Sequence, residues 1–456
     1  MSAPVTQKKS GFNIRDLKLL FGNGGSLKQF GILGALIVIV LIFQIWTGGK
    51  TLQPGNLINL VQQYSYILIL AIGMVMVIIA GHIDLSVGSV AAFTGILVST
   101  SMRDWNFPWW AAIIFGLIIG AAIGAWQGFW VAYVGVPAFI VTLAGMLIWR
   151  GGNQFIGDSE TVPVPQDFVY IGAGYLPEIG PGATNVNNLT ALIGIVLAII
   201  VAVNEWRARR TSRTMGSEPR PLWVSILRVV ILDAVVIIAA LLFASGRAGT
   251  SFPVSGIILA VLVVIYSFVT NNTIIGRHIY AVGGNKHAAE LSGVNSKRVN
   301  FLVMMNMSVL ASLAGMIFVA RSQASGPFDG TGWELDAIAA VFIGGAAVAG
   351  GIGTVAGSII GGLVMAVLNN GLQLEGIGSD LVQIIKGLVL LIAVGIDVYN
   401  KTQGRPSLTG LFMRRREADV APGGDPRPVA SSEEPLSPVT PSAATPDSAT
   451  PADLPK

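Results

Sequence analysis

Four ionisable side chains, Asp84, Glu334, Asp336 and Lys386, lie in or beside long apolar runs. Proton or ion transfer through a low-dielectric layer is the chemistry such a set could carry. Asp84 and Asp336 open the short runs HIDLSVGSVAAFTG and ELDAIAAVFIGGAAVAGG. A carboxylate facing lipid costs at least ~2.5 to 3.5 kcal/mol, so both should point into protein, either capping the free amides of a helix start or meeting a solute. Lys386 stands more than one turn inside the last apolar run; it could lock onto Asp336 or Asp380, or extend its stem to the outer surface. Nucleotide and hydrolase chemistry find no support. GGKT at Gly48 to Thr51 has Gln44 where a P-loop needs its first glycine. Gly351, Gly353 and Ala356 imitate a dinucleotide motif but follow an apolar run, where close helix packing explains them. H-E-x-x-H and G-x-S-x-G are absent. His82, His278 and His287 share no spacing that would hold a metal, and without cysteine there is no thiolate site.

The elements that must position these residues follow from composition. Of 456 residues, 53% are hydrophobic and 11% charged, and the mean hydropathy is +0.69; the bilayer is the expected solvent. The net charge of +4 is small, and its arginines gather in a few loops, a membrane-orientation pattern that leaves no weight for nucleic-acid binding. Apolar runs predict twelve helical spans near 30–46, 64–81, 85–100, 110–134, 137–151, 189–204, 222–243, 254–270, 301–320, 336–350, 353–374 and 381–398. Arg207, Arg209, Arg210, Arg213 and Arg220 mark one cytoplasmic loop, and Arg277, Lys286, Lys297 and Arg298 another. From Gly151 to Trp206 there is no Lys or Arg, while Asp158, Glu160, Asp167 and Glu178 are present, as expected of an external loop. An even number of spans then places both termini in the cytoplasm, with Arg414, Arg415 and Arg416 inside.

The short runs at 85–100 and 336–350, and the amide-glycine pairs Gln127-Gly128 and Asn370-Gly371 in the runs that follow, suggest an inverted repeat with broken helices. The expected fold is an all-α polytopic membrane protein of about twelve helices arranged 5+2+5. Its parts are a cytoplasmic arm (1–29), a first half (30–151), an external loop with a two-span insert (152–253), a second half (254–400) holding a cytoplasmic loop at 271–300, and a tail (401–456). The tail's Pro, Ala, Ser and Asp bias predicts disorder. In the cytoplasmic loop, GRHIYAVGGNKHAAELSGVNSKRVNF reads as a tight turn at Gly283-Gly284, a short helix capped by Asn285, an apolar patch of Ala288, Ala289 and Leu291, and a stop at Ser292-Gly293. Either an ordinary interfacial loop or a helix shaped for a partner's groove fits this pattern.

The order VIIAGHIDLSVGSVAAFTG, AWQGFWVAYVGVPAFIVTLAGMLIWRGG, GRHIYAVGGNKHAAELSGVNSKRVNF, ELDAIAAVFIGGAAVAGGIGTVAGSIIGG, QIIKGLVLLIAVGIDVYNK resembles the ribose/xylose-type ABC sugar permeases, nearest their xylose and multiple-monosaccharide branch, over residues from about 55 to 401. The resemblance implies a permease pair in the bacterial cytoplasmic membrane, importing monosaccharides such as xylose, glucose or galactose. It implies a cytoplasmic ATP-binding subunit, which holds ATP and Mg, docked at Gly283 to Gly293, and an external sugar-binding protein, for which residues 51–66 are a candidate surface. The chain itself then needs no cofactor and is no enzyme. A transient path for a neutral, hydroxyl-rich sugar wants amides, hydroxyls and aromatic faces; Ser86, Phe93, Trp126, Gln127, Asn370 and Gln373 fit beside Asp84, Asp336 and Lys386. Two rivals stand against this: an ion-coupled secondary transporter using Asp84, Glu334, Asp336 and Lys386, and an ABC permease for another small solute.

Overall fold

A computed structural model describes residues 25–180, 186–215, 222–246 and 251–402. The N-terminal arm up to residue 24, Arg220, the Arg414 to Arg416 cluster and the tail from 403 lie outside the described residues. The chain runs through α1 (Gly25–Trp46), α2 (Pro54–Ile79), α3 (Val87–Asp104), α4 (Trp109–Phe129, extended by a π-helical turn over Trp130–Val134), α5 (Ala138–Ile156) and α6 (Gln166–Ala173). The insert is α7 (Asn188–Thr214) and α8 (Leu222–Ala244). Then come α9 (Val254–Asn272), α10 (Ile274–Gly284), α11 (Lys286–Leu291), α12 (Ser296–Ser322), α13 (Trp333–Ile343), α14 (Val355–Leu374) and α15 (Ser379–Thr402). Among the described residues a single two-residue ladder, Val162–Pro163 against Ala324–Ser325, joins the loops after α5 and α12.

Every apolar run carries a helix. Among the described residues seven of these helices, α2, α4, α7, α8, α9, α12 and α14, are long and apolar enough to cross a membrane alone. The run at 336–350 corrects the expected span: α13 ends at Ile343 after 11 residues, about 17 Å of rise against a hydrocarbon layer of about 30 Å. Glycines end it, since Gly345, Gly350 and Gly351 all hold positive φ. A second correction concerns the loop at 271–300. The residues before Gly283-Gly284 are the helix α10, so these glycines close a helix and only Asn285 separates it from α11.

Two helices form the centre. α2 packs against α12, α13 and α14, and α12 packs against α2, α3 and α4. α2 thus packs among helices that follow it late in the chain, and α12 among helices from the chain's first part. Small residues permit the approach: a Cβ on Gly315 of α12 would stand 2.0 Å from the Ala91 carbonyl oxygen of α3, and one on Gly120 of α4 would stand 2.6 Å from Cβ of Ser312. Ser312 Oγ also donates to the Gly116 carbonyl at 2.6 Å. Because the obstacle at Gly315 is backbone, a side chain there forces α12 off α3. Gly315→Val is expected to cost about 1 to 3 kcal/mol, the range for overpacking, read as a lower unfolding temperature in detergent; an unchanged midpoint would deny the close contact.

Candidate functional site

Seven of the nine expected pathway residues, all but Asn370 and Gln373, fall in two places. At the start of α3, Asp84 Oδ1 accepts from the Ser86 amide at 2.8 Å and from Ser86 Oγ at 2.6 Å. Gln127 Nε2, from α4, donates to Ser86 Oγ at 2.8 Å. All three side chains are buried, so this is a cross-helix lock that orders the entry to α3. Phe93 and Trp126 both reach the ring of Trp149 on α5, at centroid distances of 5.1 and 5.9 Å. Trp149 was not singled out from the sequence, since one indole in an apolar run looks like any interfacial tryptophan.

The second place lies on α13 and α15. Lys386 Nζ stands 2.6 Å and 2.9 Å from the two carboxylate oxygens of Asp336, beside a cavity of about 300 Å³ lined by Thr331, Leu335, Gln383 and Lys386 among others. Asp336 is thus not the helix cap expected of it. α13 begins at Trp333 with Gly332 at its cap position, which leaves Asp336 a full turn inside and turned towards α15. Gln383 is a further polar group that the sequence did not flag; its position three residues before Lys386 puts both on one face. Glu334, also on α13, comes within 3.7 Å of Arg150 on α5.

Asn370 does not join either group. It exchanges two hydrogen bonds with Asn56, of 2.9 and 3.0 Å, and ties α14 to the start of α2. Gln373 is exposed at the end of α14. The surface expected at 51–66 is narrower than that: from Pro54 the chain is helical, and Thr51, Ile58, Leu60, Gln62, Tyr64 and Ser65 are buried, which leaves Gln53, Gly55 and Asn59 outward.

In the loop at 271–300, α11 is built by both its ends. Asn285 Oδ1 accepts from the Ala288 amide at 3.0 Å. Gly293, at φ 86°, donates to the Glu290 carbonyl while Val294 donates to that of Ala289, both at 3.0 Å; this pair of bonds closes a helix on a left-handed glycine. The Ser292 hydroxyl returns to the Ala288 carbonyl at 2.9 Å. Within this helix the apolar patch divides. Ala289 is buried against the body, whereas Leu291 is 91% exposed and Ala288 is exposed. Residues two apart on a helix point about 200° apart, so Ala289 anchors α11 and cannot share its outer face. Gly283 sits where α10 crosses the end of α2, and its Cβ would overlap the Ile79 carbonyl oxygen; that oxygen accepts from the Gly351 amide at 2.8 Å. Nearby, burial lowers the pKa of His82, with the Asn300 side chain opposing the shift and Lys286 adding to it. Among the described residues, no three His, Asp or Glu converge as a metal site would require.

Residues 56–394 match the family described as the permease component of branched-chain amino acid transport systems. The xylose transport system permease protein XylH of Haemophilus influenzae is 39% identical, over 82% of this chain and 97% of the relative; XylH of Escherichia coli K12 is 37% identical over 82% and 93%. The ribose import permease protein RbsC of Escherichia coli K12 is 34% identical over 83% and 95%. No solved structure matches the chain.

Proposed function

This chain belongs to the permease family of branched-chain amino acid transport systems, among its ribose/xylose-type sugar permeases, and from that premise we propose that it carries xylose across the bacterial cytoplasmic membrane. It is a multi-pass membrane subunit of an ABC sugar importer. The proposal's finer parts are the pentose, a pairing of two copies, a cytoplasmic ATP-binding subunit seated on α11, and an external sugar-binding protein, with both chain termini in the cytoplasm. Glucose and galactose are candidate cargoes with a weaker claim, because the relatives at 37% and 39% identity are xylose permeases.

One observation carries the coupling role: a short helix capped at both ends and held outside the bundle by Ala289, with Leu291 presented outward. ATP-driven closure of the partner would press on α11 and α10. Gly283 passes that displacement to Ile79 at the end of α2 and to Gly351 after α13. The half-span α13, bounded by glycines at positive φ, is then the element with two resting places, and it bears Asp336 at the outer cavity. Thr331 and Gln383 supply hydroxyl and amide contacts there for a neutral sugar, while the Asp336–Lys386 pair adds no net charge.

The test is uptake of labelled xylose into vesicles holding this chain with its ATP-binding and sugar-binding partners. Uptake is expected to need ATP and both partners. Accumulation by this chain alone under a proton gradient would overturn the reading in favour of the ion-coupled carrier, for which the Asp336–Lys386 pair is the specific observation.

A further inference from the structure

The insert α7–α8 stands apart from the pathway. Its two helices pack chiefly on each other and meet the body where α8 touches α2, and none of the apolar window of α8 is buried inside the protein. Within the single chain its outward apolar faces are open to lipid. At its cytoplasmic end the two helices part around a cavity of about 440 Å³, whose lining includes Val201, Leu232, Asn204, Glu205, Arg209 and Arg228.

Three features give this cavity a ligand class. The first is depth. The apolar run of α7 ends at Asn204, with Trp206 two residues on, and Trp223 stands in the first turn of α8; tryptophans mark the headgroup level of a bilayer. The second is charge: among the described residues that line it, two arginines face one carboxylate, and the same stretch of α7 carries the exposed Arg207, Arg210 and Arg213 on its other faces. The third is that the guanidinium groups are held in place. Arg209 Nη1 donates to the buried Ser225 Oγ at 2.8 Å, and Arg228 Nη1 stands 3.6 Å from Glu205 Oε2. Arg228 has five donors and that one carboxylate contact, which is longer than a hydrogen bond. Val201 and Leu232 supply apolar wall on the membrane side.

We propose that the cavity between α7 and α8 binds the phosphate of an anionic phospholipid headgroup from the cytoplasmic leaflet, with Arg209 and Arg228 as its ligands and the apolar wall against the first part of an acyl chain. Basic pockets between membrane helices on the cytoplasmic side recognise such headgroups. Glu205 limits the affinity by sharing Arg228. The site belongs to the insert and does not depend on which solute the permease carries.

The experiment is native mass spectrometry of the full chain released from detergent in the presence of phosphatidylglycerol, phosphatidylcholine or inorganic phosphate. Phosphatidylglycerol is expected to be retained over phosphatidylcholine. The double variant Arg209→Gln, Arg228→Gln should weaken its retention about thirtyfold, the equivalent of about 1 kcal/mol for each arginine, while Arg277→Gln, at the other cytoplasmic loop, leaves it unchanged. Glu205→Gln should strengthen retention, a gain that damaged folding cannot produce. Equal retention of the two lipids, wild-type retention by the double variant, or no gain in Glu205→Gln would overturn the proposal. Displacement of phosphatidylglycerol by millimolar inorganic phosphate would also overturn it, because it would make the site one for a free anion.

Discussion

Leu291→Asp is expected to abolish ATP-driven sugar uptake while leaving the permease itself folded. Leu291 is 91% exposed, so in the isolated chain an aspartate there meets only water, and the melting midpoint in detergent should stay where it is. Once a partner covers α11, the same carboxylate is desolvated without a counter-ion. An uncompensated charge in a buried interface costs about 3 kcal/mol, a loss of docking affinity on the order of a hundredfold. Co-purification with the ATP-binding subunit, and stimulation of its ATPase activity, should fall together. Ala289→Arg offers the contrast. Ala289 is buried against the body, so its arginine would unseat α11 and lower the melting midpoint before any partner is present. Full co-purification and uptake by Leu291→Asp would remove α11 as the docking surface; equal loss of stability in both variants would deny that the helix has distinct inner and outer faces.

Lys386→Met should be among the most damaging single substitutions. The Lys386 and Asp336 side chains are about one-fifth exposed, and their closest atoms are 2.6 Å apart. Removing the ammonium leaves a largely shielded carboxylate at the edge of the cavity, a loss between the about 1 kcal/mol of an exposed pair and the about 3 to 5 kcal/mol of a fully buried one. Asp336→Asn in the same chain removes the stranded charge, and the double variant is expected to recover most of the unfolding temperature. Transport then separates the two roles. A structural pair predicts that xylose uptake returns along with stability in the double variant. An ion-coupling pair predicts a stable double variant that no longer transports, because no titratable group remains at that position. A double variant as unstable as Lys386→Met would show that the two side chains do not compensate each other.

The chain's own order of residues determined where helices form, since each apolar run must close its hydrogen bonds within itself. The ends of α11 were legible for the same local reason: Asn285 and Gly293 satisfy backbone groups within a few residues of themselves. The length of α13 was not. Its run looks continuous to Gly350, and the break at Ile343 depends on Gly344 meeting the Gly357 carbonyl of α14, where a Cβ would stand 2.4 Å away. Partner choice was legible only as a pair of candidates: Lys386 could lock onto Asp336 or Asp380, and the folded chain selects Asp336. Asp336 read as a cap because acidic residues favour helix starts, but Lys386, 50 residues on, claims it.

The sharpest limit separates α2 from α8. Both carry an apolar window long enough to span, yet 83% of the apolar window of α2 is buried in protein and none of that of α8. Hydropathy cannot tell these apart, because lipid tails are as apolar as leucine and either environment satisfies the same side chains. What decides is shape. Gly73 on α2 lets Met307 and Leu310 of α12 come within reach of its backbone, and only the folded bundle reveals which helix has such a partner and which is left to the bilayer.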